Sequence, residues 1–243
     1  MGMTLLMHNR NPHARTVHQK IFSRKEDMHE QSTSVCEEVT LKLFLPAETI
    51  LLPSPVLIIG TYGSDGRANM MTAAWGGIAS SKPPCISVSL REATLSYHNI
   101  KQTEAFTVNI PSDKYLKEAD FVGMISGRKC DKFKETRLTP EKSRLVNAPI
   151  VKEFPYALEC QLVRQVSLGL HTMFIGKIVG MVADKEVLNQ NQLPDIEKVR
   201  PIMWGSFGSN AYYRVGDRLA KAFSAQNQLK RRRKSMKITD GIT

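Results

Sequence analysis

Ile86, Val88 and Leu90 alternate with small polar residues in CISVSL, and Phe106, Val108 and Ile110 alternate in AFTVNI. This is the period of strands with one face buried. The apolar run VLIIG (residues 56–60), the tight-turn residues GSDGR and the returning NMMTAA predict a hairpin. Between the two alternating strands, TLSYHNIKQTE suits a short helix with Thr94 as its N-cap. After Pro111, Ser112 is placed to cap a second helix in which Tyr115, Ala119 and Val122 share a face, ending at Ser126 and Gly127. The polar, basic stretch from residue 126 to 153, with Pro140 and Pro149, predicts a long surface loop.

YALECQLVRQVSLG alternates at Leu158, Cys160 and Leu162, and HTMFIGKIVGMVADKEVL follows as a second long strand. Gly176 and Gly180 in that strand predict close backbone approach or barrel curvature. Val215, Leu219 and Phe223 fall on one face of a predicted last helix. Residues 1–40 show no sustained hydrophobic period. The predicted architecture is therefore mainly β, an antiparallel barrel with a few peripheral helices and no internal repeat. Its expected organisation is a flexible extension over 1–40, one domain over 41–226 and a basic tail over 227–243.

Charge adds to this picture only at one end. Of the net +11 carried by 243 residues, +7 lies between residue 214 and the last residue, where KRRRK occupies residues 230–234. A solvated terminus is the ordinary explanation, so nucleic acid is not the expected partner. Cys36, Cys85, Cys130 and Cys160 form no C-x-x-C pair, and read as buried or idle thiols in a reducing compartment. His8, His13, His18 and His29 lack thiol or acidic partners at ligand spacing, so no metal is expected. Prolines break LLPSPVLIIG and Lys177 interrupts MFIGKIVGMV, so no apolar run reaches the ~18 residues of a membrane span. Those features, with no recognisable signal peptide, make a cytoplasmic protein the expectation.

The glycines of GTYGSDG (residues 60–66) match neither a dinucleotide fingerprint nor a P-loop, and no G-x-S-x-G or H-E-x-x-H occurs. Two stretches remain. Ser89, Arg91, Thr94 and Ser96 bring a guanidinium and three hydroxyls to a strand-to-helix junction where backbone N–H groups are free, a combination suited to phosphate. The small-residue stretch around residues 71–74 offers backbone on which a planar ring could lie. The residue-level alternative is that Thr94 merely caps the helix and Arg91 pairs with a surface carboxylate.

Taken in order, NMMTAAW, S-x-x-PP, SLR-x-ATLSY, FTVNIP, SGRKCDKF, HTMFIGKIVG and YYRVG resemble the flavin reductase-like family, in its flavoredoxin-type branch, over about residues 45–225. The resemblance implies an FMN-binding split β-barrel, antiparallel and Greek-key-like, assembled as a homodimer with one non-covalent FMN per subunit. It implies that Asn69, Met71, Thr72 and Trp75 border the ring, that Ser89, Arg91, Thr94 and Ser96 hold the phosphate and ribityl chain, and that Asp131, Lys132 and Phe133 complete the pocket. Lys132 is the candidate cation for charge developing on the ring. His171 matches a histidine near the nicotinamide or flavin edge, where it would be catalytic. Many relatives carry G-D-H there. This chain has Gly169, Leu170 and His171, which weakens the case for NAD(P)H as donor and leaves room for a protein partner such as ferredoxin. A binding module that uses the basic tail to contact nucleic acid or anionic membrane is the alternative.

Overall fold

The computed structural model describes residues 42–223. The expectations for the histidine-bearing extension, Cys36 and the KRRRK tail lie outside the described residues. The chain divides into two units, Met1–Ala47 and Glu48–Thr243. Of the first, residues 42–47 have no regular secondary structure.

The second unit is built on a seven-stranded sheet in which every pairing is antiparallel. In chain order its strands are β2 (Leu57–Tyr62), β3 (Ala68–Ala73), β4 (Gly76–Ser81), β5 (Pro84–Arg91), β6 (Ala105–Ile110), β9 (Tyr156–Leu168) and β10 (His171–Ala183). Their spatial order is β3-β2-β6-β9-β10-β5-β4. β3 and β4 thus stand at opposite edges, yet only Ala74 and Trp75 join them. Two residues span at most about 11 Å, so the sheet must curl until its edges nearly meet, giving a barrel split along one seam.

Inside the barrel, Leu57, Ile59, Val88, Leu90, Phe106, Val108, Leu158 and Phe174 form the principal core. The predicted alternation supplies it: Val88 stands opposite Phe174, and Val108 lies between Ile59 and Leu158. Gly176 admits the Phe106 ring, because a Cβ there would lie 2.5 Å from its Cζ. The β9–β10 ladder shifts register between Ile175 and Gly176 and again between Ile178 and Gly180. Both glycines therefore sit where the strand bends. Gly66, at φ +75°, closes the turn between β2 and β3, where the Gly63 N–H donates to the Arg67 carbonyl at 2.9 Å.

A second core covers the outer side of β2 and β3. There Ile58 and Met70 meet Ala119 and Val122 of α2 (Leu116–Met124), Phe133 of α3 (Lys132–Thr136), Phe154 and Ile202. A small sheet of β1 (Ser54–Pro55), β11 (Ile202–Trp204) and β12 (Tyr212–Arg214) adjoins it. Among the described residues no helix is long and apolar enough to cross a membrane. Cys85 and Cys160 are free and buried, and burial pushes the Cys160 thiol up to about 12.

Three expectations need correction. The helix after Pro111 begins at Leu116, behind a 3-10 turn over Asp113–Tyr115, and ends at Met124. The Ser112 hydroxyl makes no capping bond. The stretch expected as a loop contains α3 and a hairpin of β7 (Pro140–Lys142) and β8 (Pro149–Val151). Isolated apolar anchors among lysines hold it: Phe133, Leu138, Ile150 and Val151 are buried, and buried Glu159 accepts bonds from the Ser143 hydroxyl and the Arg144 N–H. Residues 215–221 form no helix, and Val215, Leu219 and Phe223 are exposed. With no element beneath them, a short amphipathic pattern does not offset the cost of helix nucleation.

The small-residue stretch after Trp75 proves to be β4, a strand the periodicity did not predict. A Cβ on Gly76 would lie 2.7 Å from the Ser87 carbonyl oxygen and 2.8 Å from Leu57 Cδ1, so this edge requires glycine.

Candidate functional site

The last residue of β5, Arg91, leads into α1 (Leu95–Thr103). Thr94 caps that helix, its hydroxyl accepting from the Tyr97 N–H at 3.3 Å and donating to the Arg91 carbonyl at 2.9 Å. Within the first turn, the buried Ser96 hydroxyl accepts from Asn69 Nδ2 of β3 at 2.9 Å. Asn99 Nδ2 donates to Thr61 Oγ1 at 3.0 Å, so α1 is fastened to both β2 and β3.

The opposite wall comes from the end of α2. Thr72 Oγ1 donates to the Ala119 carbonyl, and Gly123 lies against the Thr72 side chain. Residues 126–128 then form a strap held by two guanidinium groups. Arg67 Nη2 donates to the Gly127 carbonyl at 3.3 Å, and Arg128 Nη1 to the Ala93 carbonyl at 2.8 Å. Gly127 is required at its point of contact, because a Cβ there would fall 2.1 Å from Asn69 Oδ1. Behind the strap, the buried Lys132 ammonium donates to the Val122 carbonyl at 2.6 Å, and burial lowers its pKa to about 8.

These walls enclose a cavity of about 260 Å³ at the seam. Asn69, Met71, Arg91, Thr94, Ser96 and Lys132 line it, and no carboxylate does. Among the described residues both ion pairs go to Asp113, from Arg200 and Arg214, and Arg91 has no carboxylate partner.

The other sequence-predicted residues lie elsewhere. Trp75 and His171 face each other, ring centroids 4.6 Å apart and planes 51° inclined. His171 pairs with Arg91 across β5 and β10, and burial, then the Arg91 charge, lowers its pKa below 6.5. The Ser89 N–H donates to the Trp75 carbonyl at 2.8 Å. Thr72 is committed to α2. Asp131 caps α3 by accepting from the Lys134 N–H at 3.2 Å, and Phe133 is buried in the second core, so neither lines the cavity. Arg67 and Arg128 were not singled out from the sequence. Arg128 lies within SGRKCDKF, but its reach to Ala93 depends on how α2 ends.

The family profile described as the flavin reductase like domain matches residues 50–204, and the chain belongs to that family. The solved flavoredoxin of Desulfovibrio vulgaris (Miyazaki F) is 46% identical, with TM-score 0.73, the match covering 76% of this chain and all of that one. A flavoredoxin from Methanosarcina acetivorans is 27% identical, with TM-score 0.72, covering 78% of this chain and all of its own. A ferric-chelate reductase (NAD(P)H) of Archaeoglobus fulgidus is 29% identical over 135 residues, which is 54% of this chain and 79% of that protein. Family membership does not favour the binding-module alternative.

Proposed function

We propose that this protein is a flavin-dependent oxidoreductase of the flavoredoxin type, holding FMN in the seam cavity. One observation carries the reading: an arginine with no carboxylate partner among the described residues, a buried lysine and the Thr94-capped first turn of a nine-residue helix surround a cavity lined by no carboxylate. Such a cationic rim, free of carboxylates, fits a phosphate dianion. Arg91, Thr94 and Ser96 would hold the phosphate end, while Asn69 and Met71 would border the ring.

FMN, when bound, supplies hydride and electron transfer. The protein's part is to bind, orient and polarise it. Below about pH 8 Lys132 keeps a positive charge against the cavity wall, fixed by its bond to the Val122 carbonyl. Preorganised charge of this kind stabilises negative charge developing beside it without reorganisation. Burial, then the Arg91 charge, lowers the His171 pKa and so favours the neutral imidazole, which can accept a hydrogen bond. Its half-buried ring and that of Trp75 present a surface suited to a second copy of the chain, which supports a homodimer.

Likeness to two flavoredoxins supports exchange of electrons with a protein such as ferredoxin; likeness to a ferric-chelate reductase supports NAD(P)H. Purified protein titrated with FMN should turn yellow and retain the flavin through gel filtration, and failure to do so would refute the reading. Anaerobic bleaching by NADH or NADPH would assign a nicotinamide donor. Bleaching by reduced ferredoxin alone would assign the electron-carrier role. Sedimentation at micromolar concentration tests the dimer.

A further inference from the structure

Val215, Leu219 and Phe223 keep the spacing of a helix face, yet residues 215–221 have no regular structure, and Leu219 and Phe223 are fully exposed. An apolar stripe of this kind is one face of an amphipathic helix that lacks a surface to lie on. At about 100° per residue, Leu219, Ala222, Phe223 and, further along the sequence, Leu229 fall within about a third of a helix's circumference, interrupted by Gln226 alone. Asp217 stands just before the stripe, where an N-cap belongs. Charge singles out the same segment. Residues 218–237 hold eight Lys or Arg and no Asp or Glu. The adjoining cavity of about 1000 Å³, which Val215 and Arg218 border together with exposed Ile196, offsets its guanidinium groups with carboxylates such as Asp195 and Glu197. The uncompensated charge therefore belongs to the segment, which lies beyond residue 204, where the family profile ends.

We propose that residues 215–237 dock this protein on an anionic lipid bilayer, with Leu219 and Phe223 entering the boundary between headgroups and acyl chains and the basic stretch that follows meeting the headgroup charge. A bilayer uses both halves of the pattern. A helix lying in the membrane plane buries its apolar face about 5–10 Å into that boundary. Each Lys or Arg held near an anionic surface strengthens binding about fivefold. The bilayer also supplies the surface whose absence leaves this segment without a helix on the barrel. A nucleic acid would take the charge but offer aliphatic Leu219 no apolar surface. Nothing in this contact depends on what the seam cavity holds, so it adds to the barrel's chemistry and replaces none of it.

The test sediments full-length protein with vesicles of phosphatidylcholine alone and with vesicles of equal parts phosphatidylcholine and phosphatidylglycerol. The protein should pellet with the second and stay in solution with the first. Raising salt from about 0.1 to 1 M shortens the screening length from about 10 to 3 Å and should weaken the binding tenfold or more. Replacing three guanidinium groups together, by Arg231→Gln, Arg232→Gln and Arg233→Gln, should cost at least tenfold in affinity. Leu219→Ser combined with Phe223→Ser should do the same while the melting temperature holds, since both side chains are fully exposed. Four results would each overturn the docking surface: no pelleting with either vesicle, equal pelleting with both, undiminished binding by either variant, or retention of single-stranded RNA by a protein that ignores vesicles.

Discussion

Arg91 is the residue on which the site turns, because it brings a charge to the cavity that no carboxylate of the described residues neutralises. A hydrogen bond to a charged group contributes about 1.5–3 kcal/mol. Arg91→Ala should therefore weaken FMN binding roughly tenfold to a hundredfold, read by quenching of flavin fluorescence, with little change in melting temperature. Lys132 makes a prediction in pH. Its folded pKa lies near 8 and below the ordinary 10.5, so above pH 8 the unfolded chain binds more protons and stability rises with pH up to about 10.5. An anion in the cavity favours the ammonium, so FMN affinity should fall as pH rises past 8, by up to about tenfold per unit. The two trends run in opposite directions, and Lys132→Met should flatten both, as titration calorimetry and thermal melts across pH 7–10 would record.

Among the elements, the strap over residues 126–128 is the part most sensitive to a single methyl group. Gly127→Ala should displace the strap from Asn69, weakening FMN retention by tenfold or more while the barrel's circular dichroism stays intact. Strands and α1 were legible in the sequence because the barrel buries one face of each: the alternation in β5 and β6 maps onto the core, and Thr94 caps α1 as its position required. α3, β7 and β8 were not legible, since lone anchors such as Phe133 and Leu138 among charged residues carry no period. β4 escaped for a related reason, its glycines being chosen for what they lie against. The last expected helix had a period but nothing to pack on. In the site, the same motif that contributes Lys132 to the cavity sends Phe133 into the second core and spends Asp131 on a cap, a division decided by the rotation of about 100° between adjacent helical residues.

At the scale of the whole molecule, the three-stranded sheet packs on the second core through Ile202, Trp204 and Tyr212, and a few polar bonds add to that contact. Asp113 accepts from Arg214 Nε at 2.6 Å and Arg200 Nη2 at 2.7 Å, and the Tyr212 hydroxyl donates to Asp120 Oδ1 at 2.7 Å. The Arg214 hydrogen bond foremost holds the Asp113 carboxyl below its usual range, so its contribution is present above pH 4 and lost as pH falls through the lowered value. Asp113→Ala combined with Tyr212→Phe should speed amide exchange in β11 and β12 without altering it in β9 and β10, which mass spectrometry of exchanged peptides would resolve. The Phe106 ring lodged over Gly176 carries a different implication: the two positions are not independent variables. Enlarging Gly176 to Ala should cost about 1–3 kcal/mol by overpacking, yet trimming the facing ring with Phe106→Leu should return much of that loss. Homologous barrels would then be expected to exchange bulk between these two sites as a pair, conserving the sum of their volumes while either side chain drifts.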